Sequence, residues 1–287
     1  MMRRSALFMP GNHPGMLLSA AILGADSVIL DLEDAVALNA KDSARILVRE
    51  AIQSLAFGDV EVMVRINPVG SLYWQKDLDH IVLAQPDCIM IPKAAKEDVE
   101  QVEAYVAKLE EQHQISHRCQ FFLIAETAYG IETLTETLRA SKRIAGVLLG
   151  AEDLTADMGI VRTKAGHEIA YARAKVAMAC QAFQVQAMDT PFTDVDDIEG
   201  LYQDTLYAKS IGMKGKALIH PRQVDAVHEV FAPNAEEVAY AKMILALQEK
   251  ASKEGVGVFS YQGKMVDLPI ILRAQSILKQ ARKLGLK

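Results

Sequence analysis

The sequence predicts an α/β protein: an eight-stranded (β/α)8 barrel of the TIM type, followed by a C-terminal helical extension. Three observations carry that expectation. Eight short, almost wholly apolar runs recur along residues 1–232, and a stretch with helical patterning follows each of them. Runs without polar alternation are buried on both faces, as in a parallel sheet covered by helical crossovers. The chain has 287 residues, and such a barrel takes about 250. An open, doubly wound sheet is the alternative that the same alternation allows.

The elements follow in order. Residues 6–9 (ALFM) form the first strand, broken by Pro10-Gly11-Asn12, and residues 14–23 read as a helix ended by Gly24. Residues 27–32 (SVILDL) are the second strand, and 42–55 its helix, stopped at Phe57-Gly58-Asp59. The third strand, 61–66 (EVMVRI), closes at Asn67-Pro68 and precedes a helix over 77–83. The fourth, 88–91 (CIMI), ends at Pro92 and leads to a long helix over 97–113. Strand five spans 121–125 (FFLIA) with a helix over 131–139, and strand six 146–149 (GVLL) with an alanine-rich helix over 165–183. Strand seven is 185–188 with its helix at 196–210; strand eight is 216–219 (KALI) with its helix at 224–231. Gly, Pro, Asn and Asp punctuate these units because they end helices and set turns.

After Pro233 the pattern changes. Residues 235–254 read as one long helix, then come glycines at 255 and 257, a short apolar piece and GKMVD at 263–267. Leu268-Pro269 opens a last helix that runs to about Gly285. The expected organisation is a catalytic barrel over 1–232 and a helical extension or lid over 233–287. The extension has too little apolar surface to stand alone, so it packs on the barrel or reaches a neighbouring subunit.

Composition removes several function classes. A net charge of −6 argues against nucleic acid as a partner. Cys88, Cys119 and Cys180 are odd in number and lack C-x-x-C spacing, so neither a disulfide framework nor a zinc–cysteine site is expected, and a reducing compartment fits. The apolar run after Arg3-Arg4 is too short for a signal peptide, and nothing approaches the roughly 18 apolar residues of a membrane span. The expected location is the cytoplasm, without a membrane partner. His113 and His117 have i,i+4 spacing but stand at the polar end of a helix and read as a solvated face.

Barrel active sites lie at the C-terminal ends of the strands. There strand two delivers Asp31, Glu33 and Asp34, strand three Arg65, strand four Lys93 and strand five Glu126. Strand six delivers Glu152 and Asp153, strand seven Asp189 and strand eight His220. Taken singly, each acid is as readily a helix cap; the series, with Arg65 and Lys93 among it, points to a site. Several carboxylates in one mouth repel unless a cation or protons neutralise them. Magnesium takes one or two carboxylates, with waters and substrate completing its shell, and Glu126 and Asp153 on neighbouring strands fit that arrangement.

At these residues the sequence is similar to the citrate lyase beta subunit and its relatives, the HpcH/HpaI-type aldolases and the citryl-CoA, malyl-CoA and citramalyl-CoA lyases. The matching pieces are LFMPGN at 7–12, GADSVILDLEDAVA at 24–37, VRIN at 64–67, IPKA at 91–94 and AETAYGI at 125–131, followed by GAEDLTADMG at 150–159, KALIHPRQ at 216–223 and GKMVDLP at 263–269. They span the chain from the first strand to the tail.

The resemblance implies a magnesium-dependent carbon–carbon lyase. Such an enzyme cleaves a 3-hydroxyacyl-CoA thioester, of the citryl-CoA kind, into a 2-oxo acid and acetyl-CoA. Citramalyl-CoA, malyl-CoA or a free hydroxy acid are alternative substrates, and a non-catalytic metabolite-binding subunit is a further alternative. By position, Glu126 and Asp153 match the magnesium ligands, and Arg65 the arginine on the 2-oxo acid and enolate oxygen. The backbone at Gly150, Ala151 and Glu152 matches the segment that receives the oxo-acid carboxylate. Glu33 and Asp34 match acids near the metal waters, with Lys93 beside them in the substrate region. Asp267 matches a tail aspartate that enters a neighbouring subunit's site, so a homotrimer or hexamer is implied, with other citrate lyase-type subunits as partners. Three positions depart from the family pattern: His13 and Ser19-Ala20 stand where many relatives carry basic residues suited to the phosphates of coenzyme A, and His220-Pro221 stands where citrate lyase beta subunits often have Asn-Pro, which points away from citrate.

Overall fold

The computed structural model describes residues 3–253, 255 and 257–286. Eight strands close into a parallel barrel in sequence order. They are β1 (Ser5–Pro10), β2 (Ser27–Asp31), β3 (Glu61–Arg65), β4 (Cys88–Ile91), β5 (Gln120–Ala125), β6 (Ile144–Leu149), β7 (Gln186–Asp189) and β8 (Gly215–Leu218). β1 pairs with β8 and shuts the cylinder. The expected barrel is present, and the open sheet is excluded.

Period-two alternation sorts each strand into an inner and an outer face. Ile29, Met63, Met90, Phe122, Ile124, Leu148 and Met188 fill the interior. Their neighbours Ile89, Phe121, Leu123, Val147 and Ala187 face the helical layer. Gly146 is required inside. A Cβ there would stand 2.4 Å from the Phe122 ring and 2.8 Å from Gln186 O, so only glycine lets Phe122 fill the barrel. The N-terminal end is closed by polar groups: Arg3 donates to both Glu61 oxygens at 2.6 Å and to Gln120 Oε1 at 2.8 Å, and Ser27 Oγ donates to Glu61 at 2.8 Å. The open mouth is therefore at the opposite end.

The crossovers are α1 (Pro14–Ser19), α2 (Lys41–Ser54), α3 (Trp74–Ala84), α4 (Lys96–Gln112), α5 (Ala128–Glu132), α6 (Leu134–Thr137), α7 (Ala151–Asp157), α8 (Ala170–Ala182), α9 (Ile198–Ser210) and α10 (Val224–Phe231). α2 shows why they form: Ala44, Val48 and Ala51 recur at helical spacing and are buried. Three helices differ from expectation. The first helix gives way to a 3-10 turn at Ala20–Ile22. The stretch over 131–139 is two short helices, because the Thr133 and Thr137 hydroxyls bond carbonyls one turn back at a threonine-rich junction. The alanine-rich helix starts at Ala170, preceded by a 3-10 turn. α7, directly after β6, was not anticipated as a helix.

The chain divides into two compact units between His228 and Glu229, with α10 crossing the division. The second unit pairs α11 (Ala235–Lys253) with α12 (Leu268–Lys283) and joins them by a hairpin of β9 (Phe259–Tyr261) and β10 (Lys264–Val266). Glu254, the expected end of the long helix, lies outside the described residues. Ala241, Ile244, Val266, Ile271 and Ala274 form this unit's core. Among the described residues no helix is long and apolar enough to cross a membrane, and all three cysteines are free and buried.

Candidate active site

The register of β2 and β3 places Asp31 beside Arg65. Arg65 Nε and Nη2 each stand 2.6 Å from an Asp31 oxygen, a bidentate fork. Nη1 lies 3.0 Å from Glu33 Oε2 and 3.6 Å from Asp34 Oδ2, and the guanidinium carbon is 5.0 Å from the Phe8 ring centre. Burial opposes the guanidinium charge, but Asp31, Glu33 and Asp34 outweigh it and hold Arg65 above its ordinary pKa. Asp31 also accepts from the backbone N–H of Glu33 at 2.9 Å and of Ala35 at 3.0 Å. Lys41 Nζ donates to the carbonyls of Leu32 and Glu33 at 2.7 and 2.6 Å. The loop that carries the acids is thus fixed from both sides.

Glu126 follows β5 and is 3% exposed. Its Oε1 accepts from Lys93 N at 2.7 Å. Lys93 adopts φ 49°, a left-handed conformation that costs a non-glycine residue strain; the strain aims this N–H at the carboxylate. Lys93 Nζ meanwhile lies 3.4 Å from Glu33 Oε1. Gly150, just beyond β6, leaves room for the same side chain, since a Cβ there would lie 2.6 Å from both Glu126 Cβ and Oε2.

Asp153, in the first turn of α7, meets Glu126 from the neighbouring strand. Burial, then the charges of Glu33 and Asp153, push the Glu126 carboxyl up to about 8, against the Lys93 N–H. Burial pushes Glu33 up to about 7; Arg65 and Lys93 pull it down, and Asp34 and Asp31 add to the rise. Among the described residues no cluster of three or more His, Cys, Asp or Glu is set to hold a metal, so no closed protein cage is built. The deeply buried Glu126 carboxylate beside Asp153 calls for a proton or a cation. That donor set fits a hard cation completing its shell with water and substrate oxygens, not a soft one.

These groups surround a cavity of about 440 Å³ with an apolar floor of Phe8, Ile124 and Leu148. Over residues 4–221 the sequence matches the model of the HpcH/HpaI aldolase/citrate lyase family. The chain belongs to the HpcH/HpaI aldolase/citrate lyase family. The citrate lyase subunit beta of Leuconostoc mesenteroides subsp. cremoris is 40% identical over 282 residues, covering 98% of this chain and 93% of that protein. The L-malyl-CoA/beta-methylmalyl-CoA lyase of Rhodobacter capsulatus is 36% identical over 301 residues, covering 98% and 95%. The crystal structure of the protein CitE from Mycobacterium tuberculosis, in complex with magnesium, acetoacetate and coenzyme A, superposes with a TM-score of 0.80 at 30% identity and covers 98% of each chain. The HpcH/HpaI aldolase/citrate lyase family is one of carbon–carbon lyases, and the chain is an enzyme of that class.

In this member of the family, Arg65, Asp34, Glu126, Gly150, Ala151, Glu152 and Asp153 line the cavity. Glu33 and Lys93 stand behind them, tied to Arg65 and Glu126. Two of the three backbone groups expected to receive a carboxylate are already engaged: Gly150 N donates to Ala125 O at 3.0 Å and Ala151 N to Thr190 Oγ1 at 3.2 Å. Asp267 belongs to the second unit, where it precedes α12 in extended conformation and its side chain makes no capping hydrogen bond.

Two expectations are corrected. Asp189 is not in the mouth. It is the outward residue of β7, bonded to Arg173 of α8 at 2.9 and 3.0 Å and to Lys216 of β8 at 2.6 Å. His220 caps the turn after β8, accepting from Arg222 N at 3.1 Å, and Ile219 lines the cavity in its place. Sequence reasoning missed Thr190, the inward neighbour of Asp189; the alternation of the strand was the signal that could have found it.

Proposed function

We propose that this protein is a magnesium-dependent carbon–carbon lyase that cleaves a 3-hydroxyacyl-CoA thioester of the citryl-CoA type into a 2-oxo acid and acetyl-CoA. The observation that carries the proposal is the Glu126–Asp153 carboxylate pair facing the Asp31-anchored Arg65 across one cavity. The magnesium and coenzyme A in the mycobacterial structure, and the lyase names of both sequence relatives, support the metal and the thioester.

Glu126 and Asp153 would hold the ion. Held there, a magnesium ion would supply Lewis acidity to the substrate oxygens at the cleaved bond. Arg65 is preorganised: Asp31 takes Nε and Nη2, so the guanidinium cannot swing, and its charge stabilises the enolate oxygen as the carbon–carbon bond breaks. Removing one such donor typically costs about 10²–10³ in rate. Glu33 and Asp34 from the β2 loop, with Lys93 from the β4 loop, set the charge of the same space. A carboxylate of the cavity takes the hydroxyl proton, the C–O bond becomes the oxo-acid carbonyl as the carbon–carbon bond breaks, and the electron pair of that bond ends on the acyl thioester as its enolate. Asp267, delivered by the tail of a neighbouring copy in a homotrimer or hexamer, protonates the enolate carbon.

One observation favours a second carrier. α1 holds no basic residue, and Ser19 Oγ bonds back to the carbonyls of Gly15 and Met16. A thioester carried on a protein, as in a complex with other citrate lyase-type subunits, needs no cation there. The cytoplasm is the compartment that suits either substrate.

The substitution Asp153→Asn tests the reading. It removes one charge without changing shape. Magnesium binding by titration calorimetry is expected to disappear and turnover to fall by about 10³ or more, with an unchanged circular dichroism spectrum. Normal turnover in this variant would remove the carboxylate pair from the mechanism.

A further inference from the structure

Resting on the lyase reading above, we propose that Thr190 is a substrate-binding residue whose hydroxyl donates a hydrogen bond to the carboxylate of the 2-oxo acid. The cavity holds five carboxylate side chains, Asp31, Asp34, Glu126, Glu152 and Asp153. An anionic ligand therefore needs donors, and apart from a protonated carboxyl only two lining side chains can donate: Arg65 and Thr190. Arg65 is heavily committed, with Nε and Nη2 on Asp31 and Nη1 facing Glu33.

Thr190 is built for the task. It is 1% exposed, and its oxygen accepts from Ala151 N at 3.2 Å. That contact fixes the oxygen and uses a lone pair, and among the described residues the hydroxyl proton has no acceptor. The strand beneath is immobilised from the other side. Asp189, the preceding residue, is held by Arg173 and Lys216, which both also bind Asp204 at 2.6–2.9 Å. The four side chains of this cluster are at most 6% exposed. With Asp189 locked outward, the next residue must face inward, so the hydroxyl is presented beside the segment at Gly150–Glu152 on a rigid element.

The test compares Thr190→Val, which keeps the shape and deletes the hydroxyl, with Thr190→Ser, which keeps it. Affinities for pyruvate and for acetyl-CoA are measured with magnesium present, alongside thermal unfolding. The valine variant should bind pyruvate about 10- to 100-fold more weakly, the range for a hydrogen bond to a charged group. Serine should restore affinity to within a few-fold, and acetyl-CoA binding should be unchanged in both. Wild-type pyruvate affinity in the valine variant would overturn the proposal. So would an equal weakening for both ligands, which would reduce Thr190 to support for Ala151. A wild-type protein that cleaves thioesters but gives either result loses the proposal alone; one that neither cleaves them nor binds pyruvate loses the lyase reading as well.

Discussion

Lys93 gives its backbone N–H to the Glu126 carboxylate and Gly150 leaves it room, and the chemistry of Glu126 follows from that. A methyl group at 150 would meet Glu126 at 2.6 Å, so Gly150→Ala should displace the carboxylate and reduce turnover by about 10² or more, with stability lowered by about 1–3 kcal/mol in urea titration. The raised Glu126 carboxyl gives a sign to pH dependence. Its folded value, about 8, lies above the ordinary 4.5. Its contribution to metal-free stability is therefore fully present below 4.5 and is lost as pH rises through 8. Magnesium must displace that proton. Calorimetry in buffers of different ionisation enthalpy should show release of roughly one proton per ion near pH 6 and almost none near pH 9; pH-independent release would contradict the raised carboxyl. Charge at the strand ends was legible in the sequence. The direction of each side chain needs the alternation counted along the strand, since a one-residue step turns it to the other face; counted from the inward Met188, it selects Thr190 over Asp189.

At the scale of elements, the Arg173–Asp189–Asp204–Lys216 cluster staples β7 and β8 to α8 and α9. Removing one member leaves charge buried without its partner. Lys216→Ala should lower unfolding stability by about 3–5 kcal/mol in urea titration, whereas a loss under about 1 kcal/mol would mean the cluster is compensated by water. A second tie joins α10 to the barrel floor: His228 Nε2 lies 2.7 Å from Ser5 Oγ and 3.5 Å from Asp26. Burial lowers the imidazole pKa below 6.5, with Asp26 opposing and Arg4 adding to the shift. This contribution to stability is present above pH 6.5 and lost as pH falls through the lowered value. His228→Gln should flatten that acid limb of the unfolding midpoint. Strands were legible as short apolar runs, and the long helices because their periodicity is sustained. Seven-residue α7 and three-residue β9 and β10 are shorter than the window that periodicity needs. The β9–β10 turn did carry a signal in Gly263, which with Gln262 takes positive φ in the manner of a two-residue hairpin.

For the whole molecule, eight inward faces make one apolar plug, closed below by Arg3 and Glu61 and open above at the carboxylates. That architecture was readable from eight runs and their spacing. What the chain cannot hold on one strand, it assembles by register: Asp31 meets Arg65 across β2 and β3, and Glu126 lies beside Gly150 across β5 and β6. The central claim is that this mouth breaks a carbon–carbon bond with a metal at Glu126 and Asp153. The most direct measurement is release of a 2-oxo acid from citryl-CoA, citramalyl-CoA and malyl-CoA by the purified protein, with magnesium and with chelator. Oxo acid released from at least one thioester, abolished by chelator and restored by magnesium, is the predicted result. Release that chelator does not affect, or none from any of the three while magnesium demonstrably binds, would contradict it.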